Sequence, residues 1–502
     1  MIVEGILSVI ASPACWAWIA VGTVIGLIFG AIPGLSAPMA MVLMLPISFV
    51  LEPIEGISLL VALYIGSTSG GLISAILLEI PGTPASIATV LDGGPMARSG
   101  HAGKALAAGI FYSFFGGIVS TIALIFGARA LANFALKFAP FEYFSIAVFS
   151  LTVIASLAGD SIVDGLISGV MGFMVSLIGL SPLGQVRFTF GSRNLLSGID
   201  TVPILIGIYA IGAIISNAFG DVNRSVGEKR SYSLRDELVT FKEFKDNLWN
   251  AIRASLVGIG IGILPGIGGS TAGLISYSMA KDSSDHPEKF GTGVVDGIVA
   301  SETANNAVVG GSMIPLLTLG IPGSTPACLL LAGLTIHGIT PGPLVFTNSG
   351  VFVYGVFTAT LLANFAFLII ETAGIKGFVK LLDIPKWILY PVIISMCVIG
   401  AYANNNRSFD VILVFSFGLL TYLLKKVRFN TTPFIIAYIL GRLAETNLVR
   451  ALSQSSGSWT PFVTRPISAV FLIASVLSVG LVVRKRMKQR KAGQKIVVEE
   501  ED

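Results

Sequence analysis

The sequence has few charged residues for its length. Charged side chains make up 12% of its 502 residues and hydrophobic ones 54%, whereas an average soluble domain has about 25% charged residues. The mean hydropathy is +0.84, which excludes an ordinary soluble protein. Because apolar stretches of the roughly 20 residues that a spanning helix needs recur from Ala14 to Val483, the sequence predicts an all-α polytopic membrane protein.

Cysteine and histidine are also scarce, with three of each. Cys15, Cys328 and Cys397 lie far apart in apolar segments, so they offer no metal-ligand spacing and no disulfide framework. The patterns GxxxxGK[ST], GxGxxG and HExxH are absent. We therefore expect no metal site, no cofactor and no enzymatic activity, and any transport must draw energy from an ion gradient or from a partner.

Basic residues are missing from the first part of the chain. The first lysine or arginine is Arg98, six lie within 220–250, and a cluster occupies 484–491. Since cytoplasmic flanks of membrane helices carry the excess of basic residues, the segment 220–250 and the tail are predicted to be cytoplasmic and the N-terminus periplasmic. We interpret the tail as a flank of the last helix rather than as a nucleic-acid-binding segment.

Glycine and proline, in contrast, are plentiful and recur in duplicated motifs. GLIFGAIPG at 26–34 corresponds to GIGIGILPG at 258–266. IPGTPA at 80–85 corresponds to IPGSTPA at 321–327. Further matches in the same order pair 139–140 with 384–385, 159–160 with 404–405, 186–188 with 427–429 and 203–212 with 433–441. An ordered series of this kind indicates an internal duplication.

The duplication divides the chain into five segments. We predict a first transmembrane repeat at 1–220, a polar cytoplasmic linker at 221–250, a second repeat at 251–452, an extra C-terminal helix at 453–483 and a charged cytoplasmic tail at 484–502. The first repeat begins outside and ends inside, while the second begins inside and ends outside. The two repeats are therefore predicted to be inverted, with about 11–12 transmembrane spans plus re-entrant pieces. Inverted repeats with broken helices are typical of secondary transporters.

The first motif pair predicts helix breaks within the membrane. Proline removes a backbone donor and glycine permits left-handed geometry, so together they end a helix. A following Ser or Thr caps a new half-helix, whose free N–H groups can bind an anion. For either copy alone a plain kink or tight turn is the alternative. The predicted substrate-binding residues of this pair are Pro33, Gly34, Ser36, Gly266, Gly268 and Ser270.

The second motif pair predicts two re-entrant half-helices. Each motif follows an apolar helix and begins a short apolar segment, 85–91 or 327–335, which is too short to span a bilayer. The two N-termini could hold a carboxylate substrate between them. The predicted substrate-binding residues of this pair are Gly82, Thr83, Pro84, Gly323, Ser324 and Thr325.

Polar clusters interrupt the apolar helices that precede the second motifs. Oxygen-bearing side chains within a turn and a half are ligands that a hard cation prefers, and an intramembrane ionisable residue indicates function. The alternatives are that the hydroxyls join helices and that Glu302 is a solvated residue at the cytoplasmic entrance. The predicted coupling-ion residues are Ser67, Thr68, Ser69, Glu302, Asn305 and Asn306. Other acids in apolar surroundings are Glu79, Asp92, Asp160, Asp164 and Glu371. Most of them lie at segment ends, where a solvated or capping role is expected.

These motifs resemble a known family. The pattern GxxxGAIPGLSAP at 26–38, the run at 80–106 and GIGILPGIGGSTA at 260–272 are similar to the large membrane subunit, TctA, of tripartite tricarboxylate transporters. The resemblance implies a system in the bacterial inner membrane with two partners, a small four-helix membrane subunit (TctB-like) and a periplasmic solute-binding protein (TctC-like). It also implies uptake of tricarboxylates or related organic carboxylates with a sodium or proton gradient.

A different class remains open at this point. A stand-alone cation/proton antiporter also uses inverted repeats and broken helices. It requires strongly coupled carboxylates within the membrane, of which the sequence offers few at mid-helix.

Overall fold

The computed structural model describes residues 1–157, 162–219, 238–381, 386–426 and 430–491. Its elements are nearly all helices. In the first half they are α1 (Ile2–Ile10), α2 (Pro13–Ala31), α3 (Ala37–Phe49), α4 (Pro53–Leu77), α5 (Ile87–Arg98), α6 (Ala102–Ala135), α7 (Pro140–Leu157), α8 (Ile162–Ser176), α9 (Thr201–Ile206) and α10 (Gly212–Phe219). A π-helical segment, Gly207–Ile211, joins the last two.

The second half continues with helices of similar lengths. They are α11 (Phe241–Ile263), α12 (Gly268–Asp282), α13 (Val295–Leu319), α14 (Thr325–Ile336), α15 (Val345–Asn348), α16 (Gly350–Leu381), α17 (Lys386–Asn405), α18 (Ser408–Lys426), α19 (Thr431–Gln454), α20 (Thr460–Thr464) and α21 (Pro466–Lys491). Three short 3₁₀ turns occur at Pro84–Ser86, Arg193–Leu195 and Pro287–Lys289. Within the described residues the strands are limited to the antiparallel pair β1 (Gly179–Leu180) and β2 (Val186–Arg187).

The helices confirm the predicted all-α polytopic membrane class. In the described part of the chain seven are long and apolar enough to cross a membrane: Pro13–Ala31, Pro53–Leu77, Ala102–Ala135, Thr201–Ala218, Gly350–Lys380, Trp387–Asn405 and Ser408–Lys426. Helices α11 and α13 are as long, with 23 and 25 residues, but they carry more polar side chains. The total of 11 or 12 spans stays a prediction.

The helices follow one another in the same order in both halves. The order is a long helix, a break, a short helix, a 25-residue helix, a second break and a 12-residue helix. It is found in α2 to α5 and again in α11 to α14. Helices of 34 and 32 residues, α6 and α16, then follow. The inverted orientation of the two repeats stays a prediction. The motif matches at 384–385 and 427–429, the break at 159–160 and the linker residues 221–237 lie outside the described residues.

The chain forms two compact units, and each unit draws on both halves of the sequence. One unit comprises Met1–Lys137 and Asp200–Arg428, and the other comprises Phe138–Ile199 and Phe429–Asp502. We call them the larger and the smaller unit. All four duplicated motifs lie in the larger unit. Unit boundaries and repeat boundaries therefore differ.

Small residues bring the central helices of the larger unit together. Gly22, Gly26 and Gly30 of α2 face successive backbone carbonyls of α4, and a Cβ atom added to Gly26 would lie 2.6 Å from the oxygen of Leu63. Glycines of α11 face carbonyls of α13 in the same way. Close backbone approach at small residues is a common mode of helix packing in membranes, and it fixes α4 and α13 in the core of this unit.

Polar contacts join the helices of the smaller unit. Arg465, which precedes α21, forms a salt bridge of 2.5 Å with Glu142 of α7, and the hydroxyls of Ser145 and Ser468 are 2.7 Å apart. The segment that holds β2 is joined to α19 by the 2.6 Å salt bridge between Arg187 and Glu445.

The predicted membrane topology can be checked at two exposed positions. Because the three native cysteines are buried, they should contribute little background in thiol labelling. We expect an impermeant thiol reagent on intact cells to label Glu4→Cys in α1 but not Lys245→Cys at the start of α11, both of which are exposed. Permeabilised cells should label both variants. Labelling of Lys245→Cys from outside would contradict the inverted repeats.

Candidate functional site

The first motif breaks the helix in both repeats, as predicted. Helix α2 ends at Ala31, and α3 begins after Ser36, whose Oγ accepts a hydrogen bond of 3.4 Å from the backbone N–H of Met39. Between them Gly34 has a φ of +91°, which disfavours any residue with a side chain. Asn217 of α10 donates to the carbonyl of Gly34 at 2.9 Å. The break is therefore a capped, hydrogen-bonded turn rather than a gentle kink.

In the second repeat the corresponding break separates α11 from α12. Gly266 and Gly268 both have positive φ, +78° and +76°. The N–H of Gly266 donates to the carbonyl of Gly323 at 3.0 Å, so the first motif is joined directly to the second. Ser270 lies in the first turn of α12 and is partly exposed.

The second motif begins a short helix in each repeat. Ser324 is the N-cap of α14, and its Oγ accepts a 3.3 Å hydrogen bond from the N–H of Ala327. Thr83 precedes the 3₁₀ turn Pro84–Ser86 that leads into α5, and its N–H donates to Ser86 Oγ at 3.3 Å. The Oγ1 of Thr83 is buried and faces the backbone N–H of Ser86 in a capping box, but no hydrogen bond of standard geometry satisfies it among the described residues. Its hydroxyl hydrogen is therefore available to a ligand.

The two glycines of the second motifs contact the first motifs. A Cβ atom added to Gly82 would overlap the carbonyl oxygen of Gly30, and one added to Gly323 would overlap that of Gly262. Both glycines therefore pack against backbone and hold the two motifs of their own repeat together. Their contact with the substrate stays a prediction.

The motifs of one repeat also pack against helices of the other. Helix α12 contacts Pro84–Ser86 and α5, and α3 contacts α14. Tyr64 of α4 bonds through its hydroxyl to Ser324 Oγ at 2.7 Å and to Ser312 Oγ at 3.2 Å. Residues predicted from both repeats are thus gathered in one unit, with helix N-termini from each.

Glu302 lies at the centre of a buried polar network. Its side chain is 0% exposed. Thr89 of α5 donates to its Oε1, Ser113 of α6 donates to Oε2 at 2.9 Å, and Asn306 lies 3.5 Å from Oε2. Full burial disagrees with the alternative that Glu302 is a solvated entrance residue.

Asn305 occupies a neighbouring face of α13. Its Nδ2 donates to the carbonyl of Thr68 at 3.3 Å. Its Oδ1 is buried with no partner among the described residues and faces Gly269 at the start of α12. This acceptor is therefore available to a cation or to a donor group of a ligand.

The serine and threonine residues of α4 do not form a matching pocket in the first repeat. Ser67 and Thr68 both donate to the carbonyl of Tyr64 within their own helix, at 3.1 and 2.8 Å. Gly30 of the first repeat faces Ser67, and the corresponding Gly262 of the second repeat faces Val308. Val308 is therefore the residue equivalent to Ser67, and it is apolar. Their assignment as ion ligands stays a prediction, and the polar cluster in the described structure is asymmetric.

Glu371 is a buried acid that the predicted site does not include. It lies in α16, ten residues before the helix ends, and its side chain is 0% exposed. Ser69 donates to its Oε2 at 2.7 Å, while Oε1 has no partner among the described residues. The feature of the sequence that points to Glu371 is its position as an acidic residue inside a long apolar segment.

Asp92 has a structural role at the start of α13. Its Oδ1 accepts hydrogen bonds from the N–H groups of Gly291, Gly293 and Val294, at 2.8 to 3.0 Å. Its Oδ2 accepts from the hydroxyl of Tyr277 at 2.8 Å. The carboxylate thereby fixes α5 to the N-terminus of α13, where a negative charge is favourable.

Basic residues near α5 are paired with acids. Arg98 forms a salt bridge with Glu79, and Lys104 forms one of 2.6 Å with Glu243 at the start of α11. Burial raises the pKa of Glu243, but hydrogen bonds from Lys104 and Thr240 outweigh it and hold that pKa at about 2. This ion pair therefore persists from neutral pH down to strongly acidic pH.

Three cavities open elsewhere on the larger unit. Their volumes are about 550, 470 and 610 Å³, and none is lined by a residue predicted to bind substrate or ion. No three His, Cys, Asp or Glu side chains of the described residues lie together as metal ligands. Among the predicted residues, Gly34 and Pro84 are exposed, whereas Thr83, Glu302 and Asn305 are buried among packed helices.

The chain is similar in sequence to a known family and to two proteins of Agrobacterium vitis. A sequence model of the tripartite tricarboxylate transporter TctA family matches residues 16–436. An Agrobacterium vitis protein described as an uncharacterized 52.8 kDa protein in the TAR-I ttuC' 3' region is 36% identical over 491 residues, which cover 98% of this chain and 97% of that relative. An uncharacterized protein in the TAR-II ttuC' 3' region of the same organism is 39% identical over 222 residues, 44% of this chain and 90% of the relative. No solved structure matches.

Proposed function

Because this chain belongs to the tripartite tricarboxylate transporter TctA family, we propose that it is the transport-conducting permease subunit of a secondary transporter for tricarboxylates or related organic carboxylates. The family makes it a multi-pass membrane transporter of a tripartite system. The proposal adds the solute class, the driving force and the partners. It places the protein in the bacterial inner membrane with a small four-helix subunit and a periplasmic solute-binding protein.

The observation that carries the solute class is the pairing of helix N-termini at the motifs. Free N–H groups at a helix N-terminus attract negative charge, and α12 and α14 begin at motifs of the second repeat while α3 and the turn before α5 begin at motifs of the first. The unpartnered hydroxyl of Thr83 adds a donor. A solute with several carboxylates matches several such donors.

The proposed driving force is a sodium or proton gradient acting through the polar network of α13. Glu302 and Asn305 provide oxygen atoms inside the membrane region, and hard cations prefer oxygen ligands. Because Glu302 and Asn305 are buried, access of a cation to them requires one group of helices to move relative to another, as in alternating access.

One observation also favours the antiporter alternative. Glu302 and Glu371 are both fully buried, and carboxylates inside the membrane are what an antiporter requires. A stand-alone antiporter would move cations without solute or partners. The family match favours the carboxylate transporter.

We expect vesicles that contain this chain and both partners to accumulate a labelled tricarboxylate or related carboxylate only when a sodium or proton gradient is imposed. Omitting the binding protein should abolish accumulation. The measurement is uptake of a panel of labelled carboxylates with each gradient alone. Gradient-driven cation flux without any solute or partner would favour the antiporter instead.

The contribution of Thr83 to solute binding can be measured in the same uptake assay. Thr83→Val keeps the shape and removes a hydroxyl that faces the Ser86 N–H but makes no hydrogen bond of standard geometry among the described residues. A hydrogen bond to a charged group contributes about 1.5–3 kcal/mol, so half-saturating solute should rise about tenfold or more. Thr23→Val is the control, since that buried hydroxyl bonds only within its own helix. Equal uptake by both variants would remove Thr83 from the site.

A further inference from the structure

A groove of about 610 Å³ opens on the surface of the larger unit, away from the residues predicted to bind solute or ion. Its walls are formed by α1, α6 and α16. Helix α1 has nine residues, which are too few to cross a bilayer. It presents Ile2, Ile6 and Ile10 to the groove, at the spacing of four that places side chains on one helix face.

Helices α6 and α16 run antiparallel along the groove. Nδ2 of Asn364 donates to Oγ1 of Thr121 at 3.3 Å, and Nη1 of Arg129 donates to the hydroxyl of Tyr354 at 3.4 Å. The residue numbers therefore rise along one helix while they fall along the other. The last turns of α6 and the first turns of α16 lie at the same end of the groove.

That end of the groove is polar, and the rest of it is apolar. Arg129, Asn133 and Tyr354 line the groove within two turns of these helix ends. Farther along both helices the lining side chains are apolar: Ile125, Phe126, Leu361 and Leu362. A glycerophospholipid has the same order of polarity, because its phosphate lies at the bilayer surface and its acyl chains lie in the hydrocarbon core.

Arg129 brings a positive charge to the polar end. It is exposed, and within the described ranges it has no carboxylate partner. Its contact with Tyr354 uses one of the five N–H donors of a guanidinium. Because the planar guanidinium can bind a phosphate group through two parallel hydrogen bonds, the remaining donors match a lipid phosphate.

We propose that this groove binds one anionic glycerophospholipid, with its phosphate group at Arg129 and an acyl chain along Ile125, Phe126 and Leu361. A zwitterionic lipid carries its own ammonium group, which offsets the phosphate charge, so it binds Arg129 less well. The bound lipid contacts all three walls and thereby holds α1 against α6 and α16. The proposal needs only a membrane-spanning chain and does not depend on the solute.

The predicted topology assigns the lipid to the periplasmic leaflet. The opposite end of α6 carries Lys104, which pairs with Glu243 in the segment predicted to be cytoplasmic. Arg129 lies near the other end of the same 34-residue helix. Basic pockets between membrane helices are a known mode of lipid headgroup recognition.

The test is the effect of lipid on thermal unfolding of the purified full-length protein in a neutral detergent. A ligand that binds only the folded state raises the unfolding temperature. Dioleoyl phosphatidylglycerol should raise it saturably, at lower concentrations than dioleoyl phosphatidylcholine, which has the same acyl chains. Arg129→Gln should raise the half-maximal phosphatidylglycerol concentration about fivefold, which is the effect of one basic side chain at an anionic lipid surface, and leave the phosphatidylcholine response unchanged.

Lys137→Gln is the matched control. It removes an exposed positive charge two residues beyond the end of α6, outside the groove, and should keep the phosphatidylglycerol response. Ala130→Trp adds bulk at an exposed position that lines the groove, so it should weaken the binding of both lipids.

Four outcomes would overturn the proposal. They are no saturable rise with phosphatidylglycerol, an equal loss in Arg129→Gln and Lys137→Gln, an unchanged midpoint in Arg129→Gln, and an equal rise produced by inorganic phosphate alone. A different occupant has its own signature. If Ala130→Trp keeps the phosphatidylglycerol response but no longer copurifies with the small membrane subunit, the groove holds a helix of that subunit and not a lipid.

Discussion

Replacing Gly323 by alanine is expected to abolish solute uptake and to lower the unfolding temperature. The added Cβ atom would overlap the carbonyl oxygen of Gly262, and backbone cannot move aside as the end of a flexible side chain can. Overpacking a filled interior typically costs 1–3 kcal/mol, occasionally more. A shift of α14 could relieve this overlap, but it would disturb the N-cap at Ser324 and its 2.7 Å contact with Tyr64.

The matched control is Gly260→Ala in α11. Gly260 and Gly262 lie in the same helix, but a Cβ atom on Gly260 meets nothing within 4 Å. In a helix interior alanine is favoured over glycine by about 1 kcal/mol, so this variant should be neutral or slightly stabilised. Uptake and thermal unfolding are measured for both variants in vesicles with equal amounts of inserted protein. Normal uptake by Gly323→Ala would show that the contact between the two motifs is not needed for transport.

The structure shows a packing role for these glycines that the sequence does not reveal. A Pro-Gly motif that recurs in two repeats predicts a break in the helix, and the breaks after Ala31 and Ile263 are present. Sequence alone does not reveal which atoms approach a glycine. The structure shows that a neighbouring carbonyl fills that position, so ligand contact must be tested at hydroxyls such as that of Thr83.

The fold was more predictable than the polar network. The lengths of the apolar segments and the Gly and Pro residues between them are local features of the sequence. They predict the short helices α5 and α14 without knowledge of any contact. The network around Glu302 joins residues of α5, α6 and α13 that are about 190 to 210 positions apart in sequence. Such contacts are set by tertiary packing, which no local pattern contains.

The contact of Glu371 shows the same limit. The sequence places Glu371 in an apolar segment, but Ser69, which donates to it, is 302 residues away. Ser69 lies in one polar cluster with Ser67 and Thr68 in the sequence, although those two hydroxyls bond within α4. Of these three neighbouring side chains, two therefore bond within their own helix and the third, Ser69, bonds to another helix.

Replacing Glu302 by glutamine is expected to weaken the sodium dependence of uptake far more than recognition of the solute. The substitution keeps the size of the side chain and removes its charge, while Thr89 and Ser113 remain beside it. A charge-assisted contact contributes about 1.5–3 kcal/mol, so the sodium concentration for half-maximal uptake should rise about tenfold or more. The half-saturating solute concentration should change little, because the motif N-termini are unaltered.

Asn305→Ala tests the neighbouring oxygen in the same assay. It removes the buried Oδ1 that has no described partner and also the 3.3 Å bond from Nδ2 to the carbonyl of Thr68. Its effect on sodium dependence should have the same direction as that of Glu302→Gln, with Glu288→Gln as an exposed acid control. Solute uptake is measured against sodium concentration for all three variants and the wild type. If neither Glu302→Gln nor Asn305→Ala changes the sodium response, the network around Glu302 is structural, and the driving cation binds elsewhere.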